Sequence, residues 1–189
     1  MDLKNHLQSF NLLTDVEIDD FIQQTSTKII KKGDFFIKEG VISKEVGFIN
    51  KGFFRSYYYN SNEEEVTYCF RFEKTFISAY TSLLSQQPSV ENIQALTDVE
   101  LNIIPRDLMI HLEKSNVNWL RLFKYFTEQE YMEMEKRIFL LQKETAEKKY
   151  EDLLIHHPEY LQKIPLNYLA SYLGITQRHL SRIRNSMSI

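Results

Sequence analysis

The chain has 189 residues, a net charge of −3 and one cysteine, and 43% of its residues are hydrophobic. These totals are typical of a soluble globular protein with one domain and room for a smaller second one. They exclude an intrachain disulfide and argue against an iron–sulfur cluster, which usually needs about four thiolates. The N-terminal residues lack the long apolar core of a signal peptide, and no apolar run is long enough for a transmembrane helix. We therefore expect a protein of the reducing cytoplasm that makes no membrane contact.

The first hundred residues show two different patterns. Residues 3–25 carry apolar side chains at helical spacing, which predicts one or two short helices. Residues 28–104 alternate β-branched and aromatic runs with turn signals such as Lys32-Gly33-Asp34, which predicts an antiparallel sandwich or barrel. Within this region the segment FISAYTSLLSQQP (76–88) predicts a short helix between two strands, closed by Pro88.

From about residue 106 to residue 155 the pattern is helical. Pro105 can open a first helix over RDLMIHLEK, and a longer helix follows from Asn116. One face of the first half of this longer helix carries Trp119, Leu122, Phe123 and Phe126.

A second apolar seam follows the whole length of the longer helix. Its members at the predicted dimer interface are Leu120, Tyr131, Met134, Ile138 and Leu141. A helix with two apolar faces must bury both, so we expect one face to pack on its own β-domain and the other on a second copy. The alternative is a monomer whose single core covers both faces.

The segment LNYLASYLGITQRHLSRIRN (166–185) has the spacing of a helix-turn-helix. Apolar side chains at Leu166, Leu169, Leu173, Ile175, Leu180 and Ile183 would hold two crossing helices together. Ala170 stands where the helices would approach, Gly174 lies at the turn, and Thr176 is a natural N-cap for the second helix. This arrangement predicts a helix-turn-helix.

The second of these helices carries the polar chemistry that a DNA reader needs. Arginine can pair with guanine in two hydrogen bonds, and glutamine suits adenine. The predicted DNA-binding residues are Thr176, Gln177, Arg178, His179, Ser181, Arg182 and Arg184. Residues 160–189 contain four cations and no acid, for a charge of +4, while the remaining residues sum to −7. The acidic total therefore conceals a basic C-terminal region, which favours double-stranded DNA as a partner.

A β-roll, a long helix and a terminal helix-turn-helix, in that order, resemble the Crp/Fnr superfamily of bacterial transcription regulators. In the β-region, KKGDFFIKEG and FINKGFFRSYYYN look like the glycine-marked turns of that family's cyclic-nucleotide-binding-type domain. The chain looks most like the short members common in Bacteroidetes-type bacteria. The resemblance implies an α+β fold with three parts. These are a jelly-roll-like antiparallel β-roll sensor domain (1–115), a long dimerisation helix (116–145) and a helix-turn-helix DNA-binding domain (146–189). It also implies a homodimer whose recognition helices enter successive major grooves about 34 Å apart.

The departures from the family concern the ligand and the end of the chain. Cyclic-nucleotide binders carry a Gly-Glu pair and, ten residues after the Glu, an Arg followed by a small residue. Alignment on Ala95 places Ser78-Ala79 and Ser89-Val90 at these positions, so both charged ligand contacts are missing. We therefore expect an effector other than cyclic AMP or cyclic GMP, or none. Many relatives continue beyond the recognition helix as a β-wing, whereas this sequence ends at Ile189, so wing contacts to phosphates are not expected.

Two interpretations of the roll and two of the whole chain stay open. Ser78, Tyr80 and Thr81 could line a neutral ligand site, or the roll could be filled and purely structural. The alternative to a transcription regulator is a ligand-binding or protein-interaction module without DNA affinity. A metal-dependent cupin enzyme is excluded because no histidine lies between residues 28 and 105, and no nucleophile–base pair is evident, so we expect neither enzymatic activity nor a cofactor. Cys69, within an aromatic strand, is interpreted as a buried small hydrophobic residue rather than a redox sensor.

Overall fold

A computed structural model describes residues 2–187 of the chain. The last two positions of the predicted DNA-binding domain, residues 188 and 189, lie outside the described residues. The chain divides into two compact units, Met1–Tyr58 with Cys69–Phe126, and Tyr59–Tyr68 with Thr127–Ile189. The three-part division along the sequence stays a prediction. In residues 2–187 no helix combines the length and the apolarity needed to cross a bilayer.

Two short helices open the first unit, as the N-terminal pattern predicts. Helix α1 spans Leu3–Gln8 and α2 spans Asp15–Gln23. Thr14 begins α2 with a capping box: its hydroxyl accepts the Glu17 backbone N–H, and the Glu17 carboxylate accepts the Thr14 N–H. The Glu17 carboxylate accepts hydrogen bonds from both the Thr14 N–H and the Thr14 hydroxyl, and these bonds hold the pKa of Glu17 below its usual value.

Eight strands follow and form two antiparallel sheets of four strands each. Their bounds are β1 Ser26–Ile30, β2 Phe35–Ile37, β3 Glu45–Lys51, β4 Phe54–Tyr59, β5 Glu65–Arg71, β6 Phe76–Ile77, β7 Asn92–Ala95 and β8 Val99–Pro105. The strand orders are β1-β8-β3-β6 and β2-β7-β4-β5. The predicted antiparallel roll is therefore confirmed, and so is the α+β fold class.

Side chains alternate between the two faces of each strand, and this separates two hydrophobic cores in the first unit. Ile49 and Phe54 belong to the core between the sheets, together with Leu101 and Ile93. Phe48, next to Ile49 in sequence, points to the other side of its sheet and joins a core formed with α1, α2 and later helices.

Helix α3 spans only Tyr80–Ser85, which is shorter than the predicted segment 76–88. Phe76 and Ile77 pair with β3 instead, because they complete the edge of its sheet. The helix ends at Gln86, which adopts a left-handed conformation, two residues before Pro88.

Within residues 2–187, six helices follow the roll. Their bounds are α4 Arg106–Ser115, α5 Val117–Lys143, α6 Ala146–His156, α7 Pro158–Lys163, α8 Leu166–Leu173 and α9 Gln177–Met187. Pro105 is the N-cap residue of α4 rather than its first helical residue. Thr145, whose hydroxyl accepts the Lys148 N–H, starts α6 and so separates it from α5.

Candidate nucleic-acid interface

Helices α8 and α9 form a helical corner around Gly174. Gly174 has φ of 68° and ψ of 32°, the left-handed region that glycine enters at little cost. The Ile175 N–H donates to the Ala170 carbonyl at 3.0 Å, and the Gly174 N–H donates to the Ser171 carbonyl at 3.1 Å. Both bonds satisfy carbonyls that the end of α8 would otherwise leave without donors.

The N-cap predicted for the second helix is present. The Thr176 hydroxyl accepts the His179 N–H at 3.2 Å, and the Leu180 N–H donates to the Thr176 carbonyl at 3.0 Å. The first turn of α9 is therefore held by the side chain and the carbonyl of one residue.

Apolar side chains hold the two helices of the corner together. Leu169, Ala170, Leu173, Leu180 and Ile183 are all buried. Since both helices are short, this small core rather than helix propensity must supply most of their stability. Four of the six predicted clamp residues are therefore buried, while Leu166 and Ile175 are half-buried.

The opposite face of α9 carries the predicted DNA-binding residues. Exposed members of this face are Thr176, Gln177, Arg178, His179 and Arg182. Ser181 and Arg184 are half-buried, and the Ser181 hydroxyl donates to the Gln177 carbonyl at 3.0 Å. The structure thus brings all seven residues onto one short helix and its N-cap, with Arg178 and Arg182 exposed.

An acidic residue lies beside this cationic face. Glu147, in the first turn of α6, places Oε1 3.9 Å from the His179 Nε2. A hydrogen bond from its own backbone N–H, the Thr145 hydroxyl and the nearby His179 hold the pKa of Glu147 below its usual value. Glu147 therefore stays ionised and places a negative charge beside His179 at the edge of the polar face.

The seam predicted for the dimer interface is exposed along α5. Tyr131 and Met134 have exposed fractions of 66% and 63%, and Ile138 has 47%. Leu120 and Leu141, the other two predicted members, are also exposed. Contiguous apolar exposure of this kind marks interaction surfaces.

The candidate ligand-pocket residues have different surroundings in the roll. The half-buried Ser78 hydroxyl donates to the Glu45 carbonyl at 3.0 Å and lies 3.3 Å from the Ser43 hydroxyl. Tyr80 and Thr81 are exposed in the first turn of α3. The structure therefore does not bring the three side chains together around one buried space.

Ser89 stands where cyclic-nucleotide binders carry the phosphate-binding arginine. Its side chain is neutral and is hydrogen-bonded within the chain. Ser89 is buried, its hydroxyl donates to the Glu91 carbonyl at 2.9 Å, and its carbonyl accepts the Gly40 N–H at 2.8 Å. Val90, the next residue, is exposed. Cys69 is half-buried, and its thiol donates to the Phe70 carbonyl.

Comparison with protein families finds one family that matches the roll. The cyclic nucleotide-binding domain family matches residues 27–116. The β-roll is therefore similar to a cyclic nucleotide-binding domain over these residues. The match covers all eight strands apart from the first residue of β1, and it includes helix α4. None of the curated proteins matches the chain significantly.

Solved structures extend the likeness beyond this domain. FixK2 from Bradyrhizobium japonicum is 18% identical with a TM-score of 0.75, covering 86% of this chain and 84% of its own. A putative Crp/Fnr-family transcriptional regulator from Eubacterium rectale is 18% identical with a TM-score of 0.72, covering 96% and 87%. The catabolite activator protein of Thermus thermophilus is 17% identical with a TM-score of 0.60, covering 93% and 84%. The roll and the helices after it therefore share the fold of these three proteins.

Proposed function

We propose that the chain is a sequence-specific DNA-binding transcription regulator of the Crp/Fnr type that acts as a homodimer in the cytoplasm. The observation that carries the proposal is the corner α8–Gly174–α9, with its buried leucines on one side and Gln177, Arg178 and Arg182 on the other. The N-terminal residues of such a second helix contact base edges in the major groove. The fold shared with FixK2 and the Eubacterium rectale regulator supports the same function.

Homodimerisation would supply the additional phosphate contacts that one basic helix lacks. The region 160–189 carries a charge of only +4, so one copy neutralises few phosphates and binds DNA weakly. Two copies paired along the exposed seam of α5 would present two such helices to an inverted repeat. A signal in the roll would then act by shifting the population of α5 arrangements, and with it the separation of the recognition helices.

We also propose that any effector is not cyclic AMP or cyclic GMP. A cyclic phosphate needs a cationic partner when it is buried, and Ser89 offers only a hydroxyl that is already bonded to Glu91. Isothermal titration with both nucleotides should therefore show no saturable binding at micromolar concentration. Saturable binding of either nucleotide would contradict this part of the proposal.

The DNA-binding proposal is tested by selecting bound sequences from a pool of random duplexes at low salt. The wild type should enrich an inverted repeat with half-sites about one helical turn apart. Arg182→Ala should weaken binding to the enriched site by about 1–3 kcal/mol and relax the preference at one base position.

Lys163→Ala is the matched control for that experiment. Lys163 belongs to the same basic region but lies on α7. Its loss removes one charge, so binding to all sequences should weaken slightly while the base preferences stay unchanged. If the wild type enriches no sequence, with or without cell extract as a source of effector, the chain is instead an interaction or ligand-binding module.

A further inference from the structure

Arg137, on the second half of α5, is placed to hold the end of α8. Its Nε donates to the Tyr68 carbonyl at 3.0 Å, and its Nη2 donates to the Tyr172 carbonyl. Its guanidinium carbon also lies 3.5 Å from the centroid of the Tyr172 ring. One side chain therefore joins three parts of the second unit: α5, the middle of β5 and the last turn of α8.

A second set of hydrogen bonds joins α8 to β5 next to this arginine. The Ser171 hydroxyl accepts the Thr67 N–H at 2.9 Å and donates to the Glu65 carbonyl at 3.2 Å. Ser171 thus replaces a neighbouring strand as the partner of two backbone groups of β5. Thr67 is buried, so its N–H would lose a partner that water could not easily replace.

Both sets of contacts involve residues of α8 that lie immediately before the turn at Gly174. Ser171 and Tyr172 come directly before Leu173, the last residue of the helix, and Gly174 follows. The Tyr172 carbonyl is among the four that a helix end leaves without an intrahelical donor, and a cation there also suits the helix dipole. Since α9 starts only three residues after Gly174 and packs on α8, fixing this turn fixes where α9 starts.

The chemistry requires arginine. A guanidinium has five donors in a rigid plane, so it can serve two carbonyls while its face lies on an aromatic ring. A lysine ammonium keeps the charge but is a compact donor without a planar face. Lysine at position 137 should therefore hold one of the three contacts at a time.

We infer that Arg137 is a positioning residue for DNA recognition, which sets the direction of α9 by fixing the end of α8 to α5 and to the β4–β5 hairpin. This inference rests on the proposed function, because the direction of α9 matters only if α9 reads DNA. In a homodimer that direction decides which half-site spacing both recognition helices can reach together.

The test compares half-site spacings. The inverted repeat selected by the wild type is rebuilt with the spacer lengthened or shortened by about one and two base pairs, and a duplex with a single half-site is added. The wild type should prefer its best spacing by about tenfold or more, since bivalent binding is lost when the geometry does not fit. Arg137→Met should flatten this preference to about twofold while affinity for the single half-site stays within about twofold, and Arg137→Lys should fall between.

Arg121→Met is the matched control. Arg121 lies on the same helix, is exposed, and has a 3.5 Å hydrogen bond to the Asn118 side chain. Its variant should keep the wild-type spacing preference. Amide hydrogen exchange without DNA is the second measurement: Arg137→Met should speed exchange at the Thr67 and Ile175 N–H groups, and Arg121→Met should not.

Each result decides between two conclusions. If Arg137→Met keeps the sharp spacing preference, or if it loses single-site affinity together with helical content, the residue is structural and the inference is wrong. If the wild type binds no duplex while Arg137→Met still loosens Thr67 and Ile175, the contacts stand, but the DNA function and the positioning role both fail.

Discussion

The two halves of α5 carry similar apolar content and have opposite surroundings. In the first half Trp119 and Leu122 are buried, and the Trp119 ring lies 4.7 Å from the Phe21 ring of α2. In the second half Tyr131, Met134 and Ile138 remain exposed. The difference shows that apolar periodicity predicts that a face will be covered but does not identify the partner. The first half finds that partner within its own unit, and we propose that the second finds it in another copy.

The largest expected effect comes from placing a charge on the exposed seam. In Met134→Asp an unpaired carboxylate would be buried in each half of the dimer, at about 3–5 kcal/mol for each removed from water. The dissociation constant of the dimer should rise at least about 100-fold, which sedimentation equilibrium can measure at micromolar concentration. DNA affinity should fall with it, because one copy presents one recognition helix.

Lys136→Asp is the control for the seam. Residue 136 lies about 200° around the helix from residue 134, and its side chain is 72% exposed in a pair with Glu133. Losing that surface pair should cost less than about 1 kcal/mol and leave the dimer intact. A wild type that is monomeric at these concentrations would favour the monomeric alternative for α5. An unchanged Met134→Asp dimer would mean that the dimer interface does not include this seam.

The second comparison concerns one glycine in each unit. Gly52, between β3 and β4, has φ of 86°, and a Cβ there would lie 2.4 Å from the Asp98 carbonyl oxygen and 2.7 Å from the Thr97 Oγ1. Gly174 also has a positive φ, but its nearest neighbour would be a Leu141 methyl at 3.8 Å. Gly174→Ala should therefore cost about 1–2 kcal/mol of conformational energy alone, while Gly52→Ala adds about 1–3 kcal/mol of crowding.

Urea unfolding with two probes separates these effects. Trp119 is the single tryptophan, and it lies in the first unit, so its fluorescence reports that unit, while far-UV circular dichroism includes the helices of the second. Gly52→Ala should lower the fluorescence midpoint, and Gly174→Ala should lower the helical signal with less effect on fluorescence. Equal shifts of both probes in both variants would mean that the two units unfold as one.

Local chemistry explains which elements the sequence predicts well. The corner α8–Gly174–α9 needs a glycine for a positive φ, a threonine for a cap and leucines for a core, and all of these lie within 20 residues. The strands of the roll likewise follow from alternation and turn residues. That α9 contacts DNA stays a prediction, since the structure describes only the face that would do so.

Elements that depend on distant partners were harder to predict. Phe76 and Ile77 join a sheet rather than α3 because β3 offers a free edge. The break between α5 and α6 carries no glycine or proline, and only the Thr145 cap marks it. Arg137 resembles any arginine on a helix surface, because the carbonyls that it binds come from Tyr68 and Tyr172, 69 and 35 residues away in sequence.

The smallest predicted effect involves a half-buried histidine beside the core of the first unit. His6 lies among aromatic rings, with its centroid 5.1 Å from Phe48, 5.3 Å from Phe10 and 5.7 Å from Phe76. Burial lowers the pKa of His6, so between the folded value and the ordinary value of about 6.5 the unfolded chain binds more protons than the folded one. His6 therefore lowers stability as the pH falls through this window and has no such effect above it.

His6→Phe keeps an aromatic ring and removes the proton site. The melting temperature reported by Trp119 fluorescence should fall less between pH 7.5 and pH 5.5 in this variant than in the wild type, by roughly 2 °C. His111→Gln, at an exposed histidine of α4, is the control for removing an imidazole outside the aromatic cluster. An identical fall in the wild type and in His6→Phe would mean that the aromatic cluster admits the charged imidazole at no cost. The pH dependence of the first unit would then have to come from its carboxylates, such as Glu17 at the start of α2.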